Sequence, residues 1–251
     1  MAMLDLSEFG PFWVYLSASP LLGLTMTLCA YLVAQALFVR CKGSPLANPV
    51  AISIVLIATL LWLSGMSYER YFAGAQFVHF LLGPATVALA VPLVRQLPRL
   101  RRSWLPLSLA LTAGCVTAIV SAVAVAVLLG ATPELAYTLG PKSATSPIAM
   151  AVSERLGGIP ALTAALVIGT GIFGAIVSKY VFELLRIRAD AARGFALGLA
   201  AHGVGTARAF QLSPEMGAFA GLAMGLNGAL TALLVPWLAP GLVSLLAAWS
   251  A

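Results

Sequence analysis

The sequence contains few charged residues: Asp, Glu, Lys and Arg together make up 9% of its 251 residues. An ordinary soluble domain carries about 25% charged residues, and so little charge cannot cover the surface of a soluble protein. Disordered chains combine low hydrophobicity with high charge, and coiled coils are rich in Glu, Lys and Arg. The shortage of charge therefore excludes a soluble domain, a disordered chain and a coiled coil.

Cysteine and histidine are also scarce, with three Cys and two His in the chain. Cys29, Cys41 and Cys115 have neither the spacing of a disulfide scaffold nor that of a metal or redox motif. The sequence also lacks a Walker loop, a paired acid dyad and a Ser-His-Asp set with recognisable spacing. We therefore expect no enzyme activity, no metal site and no cofactor.

Long uncharged stretches are abundant, because 61% of the residues are apolar. No Asp, Glu, Lys or Arg occurs within residues 9–39, 43–68, 71–94, 103–133, 156–178 or 216–251. Each stretch has room for the ~20 apolar residues that span a bilayer. The sequence thus predicts an all-α integral membrane protein, a polytopic helical bundle of about seven to ten membrane segments.

The basic residues lie at the ends of the apolar stretches. Most of the 14 Lys and Arg form three clusters, at 40–42, 95–102 and 186–193. The positive-inside rule places such clusters in the cytoplasm, so topology and contact with anionic lipid explain the net charge of +6 without nucleic acid. The first ten residues carry Asp5 and Glu8 but no Lys or Arg, which predicts an N-terminus outside a multi-pass protein of the cell (inner) membrane.

The uncharged stretches and the basic clusters at their ends together predict crossing helices over Pro20–Val39, Pro49–Gly65, Gln76–Val94, Leu105–Leu129 and Pro160–Leu185. A short outer segment is expected at Ser67–Ala75, and the final block Gly217–Leu246 is long enough for one crossing and part of another.

Two segments are too polar for plain membrane helices and contain helix-breaking residues, Gly and Pro in the first and Gly198, Gly203 and Gly205 in the second. Thr132–Gly158 starts and ends outside in this topology, and Gly194–Leu212 has the same character from the inner side. Irregular backbone at membrane depth persists only where protein buries it or where it lines a wet cavity. Both segments are therefore predicted to be broken or re-entrant.

An internal similarity supports this interpretation. Leu82–Ala90 and Leu139–Ala149 both contain Leu-Gly-Pro followed by Ala-Thr-x-x-(Leu or Ile)-Ala, with a two-residue offset. Repeats with interrupted helices at matching positions are the usual sequence indication of a transporter's binding site. The similarity predicts internal repeats, with helix breaks at Gly83, Pro84, Pro141 and Pro147 and a binding role for Thr86.

The strongest candidate site lies between two prolines of the first broken segment. Lys142 supplies a positive charge, and Ser143, Thr145 and Ser146 supply hydroxyl groups that suit a small anion such as a carboxylate. The alternative is an outer-end lysine that reaches back to the membrane interface. The cluster of hydroxyl groups favours the site.

The second candidate site is the glycine-rich motif around His202. Gly203 and Gly205 allow close approach of backbone to a ligand, with Thr206 beside them, and His202 can carry a coupling proton. A histidine bonded to a neighbouring helix is the alternative.

Other polar groups are further candidates: Glu154 and His79 for proton coupling, although His79 equally suits the interface, and Asn227 for substrate, with helix packing as its alternative.

Four motifs together resemble those of the LrgB family, also called CidB-like: HFLLGPATVALAVP at 79–92, PKSATSPIAMA at 141–151, AHGVGTARA at 201–209 and GLAMGLNG at 221–228. The resemblance runs from about Leu37 to Pro236 and implies one LrgB-like transmembrane domain over residues 1–251. Ala144, Ser146 and Val204 stand where the family pattern has Val, Thr and Ile.

The resemblance implies two possible functions. Bacterial members are named for control of murein hydrolase activity and lysis beside an LrgA-like membrane partner, and the plant plastid relative is similar to a glycolate/glycerate translocator. The candidate anion site favours a transporter of small monocarboxylates (glycolate, glycerate, pyruvate or lactate) coupled to a proton or cation gradient. The alternative is a holin/antiholin-like regulator of murein hydrolase export. The expected partners are a small organic anion, the lipid bilayer, an LrgA-like subunit and further copies of the chain.

Overall fold

The computed structural model describes residues 20–81, 84, 87–88 and 90–250, and the described elements are helical. Contacts group the chain into two compact units, Met1–Ala88 and Leu89–Ala251. The prediction of one domain over residues 1–251 is not tested by this grouping and stays a prediction.

The first unit contains α1 (Pro20–Arg40), α2 (Pro49–Ser64) and α3 (Tyr68–Phe80), with a 3-10 turn at Pro45–Ala47. Asn48 caps α2, because its side-chain oxygen accepts hydrogen bonds from the amides of Val50 (2.9 Å) and Ala51 (3.2 Å). The Thr27 and Tyr71 hydroxyls lie 2.7 Å apart and join α1 to α3.

The second unit contains the remaining helices: α4 (Ala90–Arg95), α5 (Leu97–Arg102), α6 (Trp104–Leu128), α7 (Pro133–Leu139), α8 (Ser146–Arg155), α9 (Pro160–Leu184), α10 (Asp190–Leu212) and α11 (Pro214–Ser250). Its largest buried apolar cluster draws side chains from α6, α7, α8 and α11. The α6 and α11 helices thus form the support against which the shorter helices pack.

Four described helices are long and apolar enough to cross a membrane: Leu21–Arg40, Trp104–Leu128, Pro160–Leu184 and Pro214–Leu246. Their mean hydropathies lie between 1.9 and 2.3. The prediction of an all-α, multi-pass membrane protein is confirmed. The predicted total of seven to ten segments also counts shorter and broken helices and stays a prediction.

Four predicted crossing helices agree with the structure to within one residue at each end, and the third does not. The α3 helix runs from Tyr68 to Phe80, so it takes in nearly all of the predicted outer segment Ser67–Ala75 and the start of the predicted helix Gln76–Val94. Residues 82, 83, 85, 86 and 89 lie outside the described part of the chain, and the rest of this crossing stays a prediction. The sequence did not indicate the early start of α3, because the charged residues Glu69 and Arg70 lie just before the uncharged stretch 71–94 and suggested a surface segment. They lie instead in the first turn of α3, where Glu69 favours the helix N-terminus.

The predicted break in Thr132–Gly158 is confirmed. Two short helices, α7 and α8, are separated by the non-helical residues Gly140–Thr145, and the turn at Gly157 (φ 80°) leads into α9. Pro147 lies in the first turn of α8, where proline is favoured, so it begins a helix and does not break one. The prediction of a helix break at Pro147 is therefore wrong.

The α10 helix reverses direction at His202, whose backbone is non-helical (φ 37°, ψ −125°). A straight helix of this length would hold its ends about 34 Å apart. Instead the Ser213 hydroxyl, just after the end of α10, donates a 2.6 Å hydrogen bond to Asp190 at its start. The α10 helix is therefore a re-entrant hairpin, as the glycine-rich sequence predicted.

The hairpin and the α7–α8 pair enter the second unit from opposite faces. Leu107 and Leu111 near the start of α6 pack with Phe195 and Phe219, near the starts of α10 and α11. Those three helices therefore begin on one face, named here the basic face because Arg102 and Arg186 mark it. The α7–α8 pair instead follows the far end of α6 and precedes the start of α9.

The final block Gly217–Leu246 lies within one helix, α11, which runs from Pro214 to Ser250. Pro236 and Pro240 lie inside it. The internal repeat of Leu82–Ala90 stays a prediction, since residues 82, 83, 85, 86 and 89 lie outside the described part of the chain.

Candidate functional site

The two helix breaks meet at Asn227, in the middle of α11. Its side-chain NH₂ group donates to the carbonyl of Ser143 (2.9 Å) in the first break and to that of Leu199 (3.1 Å) in the hairpin. Asn227 lies about 20 Å along α11 from Pro214, close to half the thickness of a bilayer. We call the residues around this junction the polar centre: Lys142, Ser143, His202, Thr206 and Asn227.

The carbonyl oxygen of the Asn227 side chain is buried and has no hydrogen-bond partner. Both groups that contact the NH₂ end are carbonyls, so the amide cannot be turned around without losing two hydrogen bonds. A buried acceptor without a donor is costly, and such an atom suits contact with a ligand or an ordered water.

His202 lies at the tip of the hairpin and is 5% exposed. Its Nε2 lies 2.9 Å from the carbonyl oxygen of Val167 in α9. Because that oxygen only accepts, Nε2 carries the proton, and Nδ1 is left to accept or to gain another. The Thr206 hydroxyl donates to the His202 carbonyl (2.7 Å), which supplies a donor to the backbone next to the reversal.

Small residues make the reversal possible. A Cβ at Gly205 would lie 2.5 Å from the Leu197 carbonyl oxygen in the opposite half of the hairpin, and one at Gly171 of α9 would lie 2.6 Å from the His202 ring. Gly205 therefore acts in packing. Gly203 is exposed, and a Cβ there would meet nothing within 4 Å.

The first break holds the cation of the polar centre. The Lys142 ammonium donates a 3.5 Å hydrogen bond to the Ser143 hydroxyl, and both residues lie in the turn that follows α7. Thr145 precedes α8 and makes no side-chain capping bond, and Ser146 is the first residue of that helix. Both are half-buried, so the predicted group of one cation and three hydroxyls lies in one short turn.

Four helix ends converge here. The N-terminus of α8 and that of the second half of α10 bring partial positive charge, while the C-termini of α7 and the first half of α10 bring partial negative charge. These opposing ends largely offset one another. Lys142 is the charged side chain in the first break, so its ammonium favours an anion at this point.

Glu154 does not belong to the polar centre. Glu154 is exposed near the far end of α8, about 12 Å along the helix from Ser146. His79 in α3 and Pro84 belong to the first unit, while Thr86 and Gly83 lie outside the described residues. The structure thus brings together Lys142, the three hydroxyl residues, His202, Thr206 and Asn227.

Sequence reasoning missed a second group of hydroxyls, Thr138, Ser153 and Thr163, each 0% exposed. Thr163 Oγ1 lies 2.8 Å from Ser153 Oγ and 3.1 Å from the Thr138 carbonyl oxygen, and Thr138 Oγ1 accepts from the Ile159 amide (2.9 Å). These bonds hold α7, α8 and α9 together beside the first break. Isolated Ser and Thr residues in apolar helices gave no signal that they would meet.

The polar centre offers one cation, hydroxyl groups and a free amide oxygen, a set that can bind a small anion that also carries a hydrogen-bond donor. Among the residues that the structure describes, no group of three or more His, Cys, Asp and Glu could hold a metal ion.

Residues 27–240 match the family model described as the LrgB-like family. The chain is 30% identical over 222 residues to proteins named antiholin-like protein LrgB from Bacillus mycoides (strain KBAB4), Bacillus cereus (strain B4264) and Bacillus anthracis (strain CDC 684 / NRRL 3495). Each alignment covers 88% of this chain and 96% of the relative. No solved structure matches the chain.

Proposed function

This chain belongs to the LrgB-like family, and on that premise we propose that it is an antiholin-like membrane regulator of murein hydrolase export and cell lysis. The observation that carries the proposal is the alignment with antiholin-like LrgB proteins over 96% of their length. The correspondence extends over nearly the whole of both chains, so the comparison does not depend on a shared fragment. An LrgA-like membrane subunit is the proposed partner.

The test is a lysis assay in a bacterial strain that lacks its own LrgB-like protein. Expression of this chain, with and without an LrgA-like subunit, is expected to slow detergent-induced lysis and to lower murein hydrolase activity in the medium. Lysis at an unchanged rate in both cases, with the chain present in the membrane, would contradict the proposal.

A second candidate function, transport of a small monocarboxylate, is favoured by one specific observation. The two re-entrant segments enter from opposite faces and meet at Asn227, whose buried amide oxygen lacks a donor. Binding sites at broken helices near the bilayer midplane are typical of secondary transporters. A protein that only permeabilises the membrane by oligomerising does not need such a centre.

In this second function Lys142 binds the carboxylate, and the hydroxyls of Ser143, Thr145 and Ser146 complete the anion site. His202 and Thr206 approach from the hairpin, and Nδ1 of His202 is the proposed acceptor for a coupling proton. The α10 reversal supplies the movable element, because a strained backbone at one residue separates two short helices.

Uptake of labelled pyruvate, glycolate, glycerate and lactate into proteoliposomes, with and without a pH gradient, tests the transport function. Lys142→Ala removes one charged hydrogen bond to the substrate. It is therefore expected to raise the substrate concentration at half-maximal uptake about tenfold or more. Lys179→Ala, which removes an exposed cation near the end of α9, is the matched control and is expected to transport as the wild type does.

The same variants separate the two functions. If Lys142→Ala abolishes uptake and also restores rapid lysis, control of lysis depends on flux of the acid. If Lys142→Ala changes neither uptake nor the rate of lysis, the proposed transport function is wrong. Leakage of unrelated solutes that increases with protein density would also contradict it.

A further inference from the structure

We propose that the groove between α8 and α11 binds one anionic phospholipid, with the phosphate at Arg155 and an acyl chain along the groove. The groove has a volume of about 350 Å³ and is lined by Pro147, Ile148, Ala151, Val152, Arg155, Ala232 and Pro236. All of these residues except Arg155 are apolar. The proposal concerns lipid and does not depend on either function proposed above.

The direction of the groove matches that of a lipid in a bilayer leaflet. Pro147 lies in the first turn of α8, beside the break at the polar centre, and Arg155 ends the helix near the start of α9. The eight helical steps from Pro147 to Arg155 advance about 12 Å, close to the ~15 Å depth of the apolar part of one leaflet. The charged end of the groove therefore lies at headgroup level, and its apolar floor extends toward the midplane.

The lining forms a continuous stripe. On α8 the residues are spaced at i, i+1, i+4, i+5 and i+8, and on α11 Ala232 and Pro236 are four apart, so each set occupies one helix face. Small side chains at Ala151 and Ala232 leave the depression open. On the floor, Val152 is buried in the core that α8 shares with α11.

Charge decides which lipid fits. Arg155 is exposed, and within the described part of the chain no carboxylate forms an ion pair with it. A guanidinium binds phosphate in a bidentate manner, and a basic group between membrane helices selects anionic headgroups. The adjacent Glu154 lies about 100° away around the helix, so it does not face the same groove. A zwitterionic lipid carries its own cation beside the phosphate, which repels Arg155. It is therefore expected to bind at this position more weakly than an anionic lipid does.

Native mass spectrometry of the detergent-solubilised, delipidated full chain tests the proposal. Phosphatidylglycerol and phosphatidylcholine with identical acyl chains are titrated separately, and the dissociation constant of the first bound lipid is measured. The wild type is expected to prefer phosphatidylglycerol, and Arg155→Gln to bind it about fivefold more weakly, the effect of one basic group at a membrane surface. Arg155→Lys should keep most of the preference.

Two further variants show whether the groove itself is responsible. Ala151→Leu places a larger side chain in the depression at an exposed position and is expected to weaken both lipids. Lys179→Gln removes an exposed cation near the end of α9, outside the three basic clusters, and is expected to bind lipid as the wild type does. Equal binding of phosphatidylglycerol by wild type, Arg155→Gln and Ala151→Leu would overturn the proposal. It would also be overturned if a co-expressed LrgA-like subunit displaced the bound phosphatidylglycerol.

Discussion

At the scale of single residues, Asn227 makes the most consequential contacts in the described structure. One side chain supplies donors to two carbonyls that belong to separate broken segments. Each carbonyl lies close to a helix break, and the apolar interior of a membrane offers few hydrogen-bond donors. The residue therefore stabilises the meeting of the breaks and presents its own oxygen to the polar centre.

Asn227→Leu is expected to lower the free energy of unfolding by about 1–3 kcal/mol, since it removes two buried hydrogen bonds at the modest values measured within membranes. Reversible unfolding in mixed micelles is the measurement. Ser244→Ala on the same helix is the control, because the one bond of that hydroxyl among the described residues is to the carbonyl of Gly241 in its own helix. Equal stability of the two variants would mean that Asn227 does not hold the breaks together.

Gly198 is a second residue on which packing depends. A Cβ there would overlap the carbonyl oxygen of Ala220 on α11, which is backbone and cannot rotate away. Gly198→Ala is expected to destabilise the protein by about 1–3 kcal/mol through overpacking. Gly169→Ala on α9, where a Cβ meets nothing within 4 Å, should instead be neutral or stabilise by about 0.5–1 kcal/mol. Thermal unfolding of both variants in one detergent provides the comparison, and equal melting temperatures would contradict it.

At the scale of elements, the re-entrant hairpin of α10 is the feature that the sequence indicated only in outline. Gly198, Gly203 and Gly205 predicted irregular backbone, and the reversal occurs among them. The non-helical residue, however, is His202, which adopts a positive φ that glycine would adopt at lower cost. The position of the reversal at His202 is set by its hydrogen bond to Val167 and by the packing of Gly171 against its ring. Both of these residues belong to another helix, α9.

Cysteine labelling tests the hairpin. In a background with Cys29, Cys41 and Cys115 replaced by Ala, Ala189→Cys and Leu212→Cys, which keep the Ser213–Asp190 hydrogen bond, are expected to react with an impermeant maleimide from the same side of the membrane. A straight helix of 23 residues would place them on opposite sides. Labelling from opposite sides would therefore rule out the re-entrant hairpin.

The α7–α8 segment was easier to predict, because Gly140 and Pro141 interrupt the apolar pattern in the sequence. Its bounds differ from expectation in one respect, since Pro147 lies in the first turn of α8 and not in the break. The start of the third predicted crossing was wrong for a related reason, since the helix begins at Tyr68. Apolar content shows where a helix can enter a membrane, but it does not show where the helix begins.

At the scale of the whole molecule, the placement of basic residues makes a testable statement about topology. Arg102 precedes α6 and Arg186 follows α9, and both crossings have their basic ends on one face of the second unit. The positive-inside rule then predicts that this face is cytoplasmic. In the same cysteine-free background, Ser103→Cys should be protected from an impermeant maleimide in intact cells, while Gly130→Cys at the other end of α6 should react. The reverse pattern would invert the predicted orientation.

The sequence alone determined that this is an all-α membrane protein of the LrgB-like family, where four of its crossing helices lie and where two segments break. Those properties follow from composition, spacing and local backbone preference, which act within a stretch of about twenty residues. Only the tertiary structure decided that the breaks enter from opposite faces, that Asn227 joins them and that Thr138, Ser153 and Thr163 meet. Those contacts join residues from different helices, and a polar side chain in an apolar stretch does not itself determine which helix will supply its partner.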